Sequence, residues 1–309
     1  MDGDTPARPG LQATRLGLLA VAVPVVGWSF ANTIVKLTPI PVLEFTFWRL
    51  WMGAAMMLAV SAIARRRLTW RIVRASAPAG VLFGVNLVVF FTALRRTGVA
   101  DVLLIQALQP ALVLTVAGRL FGEVVTRREI GWTAVSVAGV ALSILGSSST
   151  AAWSLEGDVL ALLALLVWTG YFLLSKRVRQ EVAAIEYMTT VALVATVVVT
   201  PVAIGAGTPL GDLRVVDWLW LSLFVAAAQG GHILLAWAHS QVDVSVSSLM
   251  ILAEPVIAAV AALVVLGEPL AWLQVTGGLV AVAAVGVVVR QAARTGALDE
   301  PAPPEAAPA

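Results

Sequence analysis

The sequence predicts an all-α integral membrane protein whose ten transmembrane helices form two inverted five-helix repeats. Three observations carry this expectation. Hydrophobic residues make up 60% of the 309 residues and charged ones only 12%, far below the charged share of a soluble domain, with a mean hydropathy of +0.93. The apolar residues fall into ten runs of about 20 residues, the length that crosses a bilayer as a helix. The chain also repeats itself. Leu108–Gly122 followed by Glu123 and Ala253–Gly267 followed by Glu268 align Pro110 with Pro255, Gly122 with Gly267 and Glu123 with Glu268 at one offset of 145 residues.

The ten runs are Gly17–Leu37, Val42–Ala64, Ala75–Leu94, Val102–Phe121, Ile130–Gly146, Asp158–Ser175, Ile185–Ala206, Trp218–Trp237, Val244–Leu266 and Leu270–Val289. Trp28 and Lys36 in the first match Trp168 and Lys176 in the sixth at an offset of 140, and Glu44-Phe45 matches Glu186-Tyr187 at 142. The offset drifts only in loops. The expected organisation is a cytoplasmic tail at 1–15, a first repeat at 16–146, an external linker at 147–156, a second repeat at 157–290 and a disordered cytoplasmic tail at 291–309. Five is odd, so the second unit enters the membrane upside down relative to the first, the layout of many secondary transporters.

The basic residues orient the chain. Arg65, Arg66, Arg67, Arg71, Arg74, Arg119, Arg127, Arg128, Lys176, Arg177 and Arg179 occupy alternate connections, joined by Arg8 and Arg15 before the first helix and Arg290 and Arg294 after the last. The opposite side holds Lys36, Arg95, Arg96 and Arg214. The positive-inside bias then puts both termini in the cytoplasm. A net charge of +2 set by loop arginines reflects topology rather than nucleic-acid binding. The absence of cysteine excludes disulfides, iron–sulfur clusters and thiol catalysis.

In the fourth and ninth helices, Pro110 and Pro255 each remove one backbone donor and crowd the carbonyl four residues back, that of Gln106 or Ile251. In lipid such a defect persists only against protein or a wet cavity. A pair of interrupted helices, one per half, points to a carrier's binding site, with the two prolines as hinges. Thr126-Arg127-Arg128-Glu129 reads as a capping box for the fifth helix. Glu268-Pro269 reads as the start of the tenth, with proline at a tolerated position.

Ten helices in two inverted units, Pro110…Gly122-Glu123, Glu254-Pro255…Gly267-Glu268, and Trp28 and Trp168 among small residues resemble the EamA-type proteins of the drug/metabolite transporter superfamily over about Leu16–Val289. The resemblance implies a multi-pass carrier of the bacterial inner membrane, often an exporter of amino acids or other small metabolites. It also implies a central cavity among the first, third, fourth, sixth, eighth and ninth helices, with the second outside that set and the fifth and tenth peripheral.

Polar residues at membrane depth are the candidate site. Glu254, about mid-helix, sits where a charge costs about 2.5–3.5 kcal/mol on insertion scales. It either binds a cation or exchanges a proton, or, protonated, bonds the backbone freed by Pro255. Its repeat partner is neutral Gln109. His232 and Gln229 in the eighth helix match the depth of Asn86 in the third, as a shared wall requires; His232 is a proton relay or a packing residue. Trp28, Trp168 and Tyr171 lie too deep for interfacial belts, so they pack or stack against cargo, and Asn32, Gln106 and Gln109 offer hydrogen bonds. Glu44 and Arg49 are about 140° apart around their helix, and Arg49 is expected to meet a carboxylate or backbone carbonyls elsewhere. His239 is expected at the cytoplasmic interface, and Asp243 and Glu186 as gate or cap groups.

Small residues at Ala134/Ala138 and Gly277/Ala281 permit close helix approach, either as a homodimer face on the fifth and tenth helices or as packing within one chain. The expected partners are a small-molecule substrate and the lipid bilayer, without nucleic acid, metal or cofactor. There is no Gly-x-x-x-x-Gly-Lys loop for nucleotide, so energy comes from a gradient or exchange. A passive channel or accessory subunit, and an intramembrane lipid-modifying enzyme, are the alternatives. The last is disfavoured by two histidines, no His-Glu-x-x-His and no Gly-x-Ser-x-Gly.

Overall fold

The computed structural model describes residues 11–109, 111–113, 127–179, 181–238 and 250–294. Pro110, Gly122, Glu123, Thr126, His239 and Asp243 lie outside the described residues.

Among the described residues ten helices follow one another: α1 (Leu11–Leu37), α2 (Val42–Ile63), α3 (Trp70–Arg96), α4 (Val99–Gln106), α5 (Arg127–Ser147), α6 (Leu155–Val178), α7 (Ala184–Gly205), α8 (Val215–Ala238), α9 (Glu254–Leu266) and α10 (Trp272–Arg294). By length and apolar composition α1, α2, α3, α5, α6, α7 and α10 can each cross a membrane. Their outward faces stay apolar, with Val197 at 71% and Leu279 at 55% exposure, as lipid-facing surface is.

Local chemistry sets the ends. Thr69 caps α3 by accepting from Ile72 N at 3.4 Å, and Ser154 caps α6 by accepting from Gly157 N at 3.3 Å, each satisfying a first-turn donor. Gly267 ends α9 at φ 68°, the left-handed stop that glycine adopts without a Cβ clash. Pro24, Pro78 and Pro201 sit inside α1, α3 and α7, which continue past them.

The two interrupted helices break in the same way. Turns occupy Ala107–Leu108 and Leu252–Ala253, just before the two prolines. Leu108 N donates to Ile105 O at 3.1 Å, and Ala253 N donates to Met250 O at 3.0 Å. Helical bonding then resumes, Leu112 N to Leu108 O and Ile257 N to Ala253 O, both at 3.0 Å. Every donor and acceptor of the first set maps onto the second at 145 residues. Pro255 therefore does not kink a continuous helix; it stands in the first turn of a new one, where its missing N–H costs nothing.

Packing respects the same exchange of halves. Helix α3 packs on α6 as α8 packs on α1, α3 on α7 as α8 on α2, and α4 on α6 as α9 on α1; α2 meets α7, α4 meets α9 and α5 meets α10. Helices α5 and α10 lie closest. A Cβ on Gly277 would stand 2.4 Å from Ser143 N, and one on Gly139 2.6 Å from Ala281 N. The Gly277/Ala281 spacing thus serves packing within the chain, while Ala134 and Ala138 face outward. The core joins both halves through edge-on contacts among Phe45, Phe91 and Phe224, with centroids 5.0 to 5.7 Å apart.

One end of the bundle is sealed by polar contacts. Lys36 forms an ion pair with Glu268 and donates to Thr97 O at 2.5 Å. Glu268 accepts from Val99 N at 3.0 Å, capping α4. It does not open α10, which starts at Trp272 with Gln274 accepting from Ala271 N at 3.2 Å, the reach-back half of a capping box. Thr97 donates to Asp158 at 2.9 Å, Trp153 donates to Asp158 at 2.8 Å, and Gln274 donates to Asp101 at 2.9 Å.

Candidate functional site

The break before Pro255 places Glu254 at the first position of α9, facing α1. Its Oε1 accepts from Asn32 Nδ2 at 3.2 Å, and its backbone carbonyl accepts from Ser29 Oγ at 3.2 Å, a hydroxyl that also bonds Val25 O. Glu254 remains half-buried, so its second oxygen is free to meet another group.

One turn along α1, Trp28 leans against α8. Its Nε1 donates to Ala228 O at 3.2 Å, and its ring centroid lies 4.8 Å from that of His232. Gly231 makes the approach possible, because a Cβ there would stand 2.5 Å from Trp28 Nε1. His232 is accessible along its outer edge. On its other side it lines a narrow cavity of about 10 Å³, room for about one water molecule. Arg49, Gly53, Phe83 and Gln229 share that cavity, closed by apolar side chains of α2 and α7.

Across the cavity the wall turns aromatic. Phe83 lies 5.3 Å from Tyr171 and 6.4 Å from Trp168, which are 4.9 Å apart. The belt from Glu254 through Asn32, Trp28, His232, Gln229 and Phe83 to Tyr171 and Trp168 crosses both halves of the chain. Most of the polar and aromatic residues expected at depth are therefore neighbours.

Two expected members are engaged elsewhere. Asn86 donates to Ala164 O at 2.8 Å, and Gln106 donates to Ala161 O at 3.0 Å; both tie the first half to α6 and leave the cavity wall to other groups. Gln109 is half-buried beside the α4 break. Glu186 meets Arg66 at 3.7 Å at the start of α7.

Sequence reasoning missed Arg49. The expected carboxylate or carbonyl partner is not there: among the described residues its guanidinium makes no hydrogen bond or ion pair. It is 6% exposed, with Cζ 5.3 Å from the Phe83 centroid, a cation–π distance. Helix α2 supplies Arg49 and Gly53 to the wall of this small cavity. The signal was a lone arginine in the interior of a 22-residue apolar helix, where such residues mark solute or ion pathways.

No curated protein matches the chain in sequence. A solved structure, described only as the crystal structure of a protein, is similar with a TM-score of 0.62 at 18% identity, over 92% of this chain and 99% of its own; it speaks to the fold alone. The family model described as the EamA-like transporter family matches twice, over residues 15–145 and 155–290. The first match spans most of α1 to α5 and the second most of α6 to α10, and this multi-pass membrane protein belongs to the EamA-like transporter family.

Proposed function

We propose that the chain is a secondary carrier of the bacterial inner membrane, an exporter of small metabolites such as amino acids. It works by alternating access around the mid-membrane cavity. The observation that carries this reading is the matched break in α4 and α9, one hydrogen-bond pattern at two sites 145 residues apart. A helix interrupted by a three-residue-spaced bond and a proline is a soft joint. Two such joints at equivalent places let the halves rock against each other.

The packing symmetry supports two five-helix units in opposite orientation, with boundaries near 16–146 and 157–290. The arginine distribution favours both termini in the cytoplasm and, with them, the Lys36–Glu268 seal on the external side. The seal and the narrow cavity fit a state closed to the outside. Export then requires the Lys36, Thr97, Val99 and Glu268 contacts to part while the opposite end closes. Glu254, accessible and hydrogen-bonded through one oxygen, is placed to bind a cationic group or carry a proton. The homodimer reading retains only the Ala134/Ala138 face.

Counterflow in proteoliposomes tests the reading. Vesicles preloaded with unlabelled amino acids are given labelled ones outside. A carrier shows trans-stimulated uptake. A channel or accessory subunit shows none, and an intramembrane enzyme yields an altered product; either result defeats the proposal.

A further inference from the structure

We infer that Arg49 is the receptor for a carboxylate on the transported solute, so that the cargo is a small carboxylic acid with an apolar body. The inference deepens the carrier reading and rests on it for the word transported.

A guanidinium within the span of an apolar helix is expensive to keep charged unless something compensates it. Buried arginines normally find a carboxylate or a set of carbonyls. Arg49 has neither among the described residues. Glu44 on the same helix is buried with its Oε1 unbonded, and Glu254 is bonded to Asn32. Arg49 Cζ lies over the Phe83 ring, 5.3 Å from its centroid. Arg49 also lines the cavity shared with Gln229 and His232. No described residue compensates Arg49, and in this closed state the cavity beside it has room for about one water molecule, so the anion is one that enters as the cavity widens.

The chemistry of the wall narrows the anion. A guanidinium fork matches a carboxylate with two parallel hydrogen bonds. A phosphate dianion would ask for further cations, and among the described residues lining this cavity Arg49 is the one lysine or arginine. Gln229 adds a neutral amide, and Leu50, Ala54, Met188 and Val191 offer only apolar contact. The site suits one negative charge with hydrocarbon beside it. The carboxylate of an amino acid and that of an amine-free organic acid present the same group to Arg49.

The test uses the purified full chain in detergent and reads binding by ligand-dependent thermal stabilisation. The probes are glycine, L-alanine, L-leucine and L-phenylalanine, their amides, and the amine-free acids acetate, propionate, 4-methylpentanoate and 3-phenylpropionate. Acids are expected to stabilise the protein and amides of the same size are not. Stabilisation by the amine-free acids identifies a simple anion site, and stabilisation by the amino acids alone identifies one that also reads the amine. Arg49→Gln should weaken acid binding by on the order of tenfold to a hundredfold, the loss of a charge-assisted pair, with Arg49→Lys in between. Gly53→Val, which fills the cavity beside Gln229, should block binding while leaving Arg49 in place.

Amides binding as well as acids, no probe binding at all, or an Arg49→Gln protein that keeps the preference for acids would each overturn the inference. Should Arg49→Gln fail to fold, the wild-type acid-against-amide comparison and Arg49→Lys decide it. Counterflow separates the two levels. Acid-selective binding without trans-stimulation defeats the carrier and leaves the receptor standing, whereas trans-stimulation without acid preference does the reverse.

Discussion

Lys36 in the last turn of α1 is ion-paired with Glu268 in the segment joining α9 to α10. The pair spans the two halves of the chain, and the Glu268 carboxylate simultaneously caps α4. Both side chains are mostly buried, at 20% and 10% exposure, so the contact is worth more than a surface pair and less than a fully dry one, about 1–3 kcal/mol.

Glu268→Gln should therefore loosen this end. Because the chain contains no cysteine, Ala100→Cys places a single thiol just behind the seal, at a position 3% exposed. A membrane-impermeant maleimide should label Ala100→Cys slowly in the parent and several-fold faster with Glu268→Gln. Equal labelling rates would show that the pair does not hold the end closed.

Gly231→Ala should displace Trp28, since its methyl group would lie 2.5 Å from the indole nitrogen and break the bond to Ala228 O. The expected cost is about 1–3 kcal/mol of overpacking, visible as a lower Tm, with transport lost. Gly230→Ala is the control, because a Cβ there meets nothing within 4 Å. Equal effects of the two would refute the contact.

Gly277→Val should destabilise strongly, by about 3 kcal/mol or more, because its side chain would enter the backbone of α5. Ala134→Leu, on the exposed face, should leave the stability within about 0.5 kcal/mol of the parent. If the outer face is a dimer contact, size-exclusion chromatography with light scattering will show Ala134→Leu shifting the oligomeric state. An unchanged mass removes that interface.

Glu254→Gln keeps a carbonyl oxygen in reach of Asn32 and should fold with stability altered by about 1 kcal/mol or less. Proton coupling through Glu254 predicts that transport by this variant loses its pH dependence. A variant that transports at the parent rate at every pH would remove the proton from the mechanism and leave Glu254 a structural acceptor.

Asn86→Leu and Gln106→Leu remove ties from α3 and α4 to the α6 backbone. Each should lower stability by about 1–2 kcal/mol and leave the acid preference of the cavity unchanged. A selective loss of binding would return these residues to the site.

Much of the candidate site was legible in the order of residues. Glu254, His232, Gln229, Trp28 and Asn32 are polar or amphipathic groups deep in apolar runs, and the cost of burying them marks them before any coordinates exist. Asn86 and Gln106 carry the same mark, and nothing in the sequence says that carbonyls of α6 meet them instead of cargo. Proline was an incomplete guide as well. Pro24, Pro78 and Pro201 leave their helices continuous while the helix breaks before Pro255, because the outcome depends on what neighbouring helices offer the freed backbone.

The apolar runs, their pairing at offsets of 140 to 145 residues and the position of the polar groups within them follow from the sequence alone, since hydrophobic length and repetition are properties of the chain taken in order. The partners were decided only in three dimensions: Glu268 with Lys36, Gly277 with Ser143, and Arg49 with the Phe83 ring. Each is a contact between residues distant in sequence, so its geometry depends on how helices cross. No local spacing encodes that.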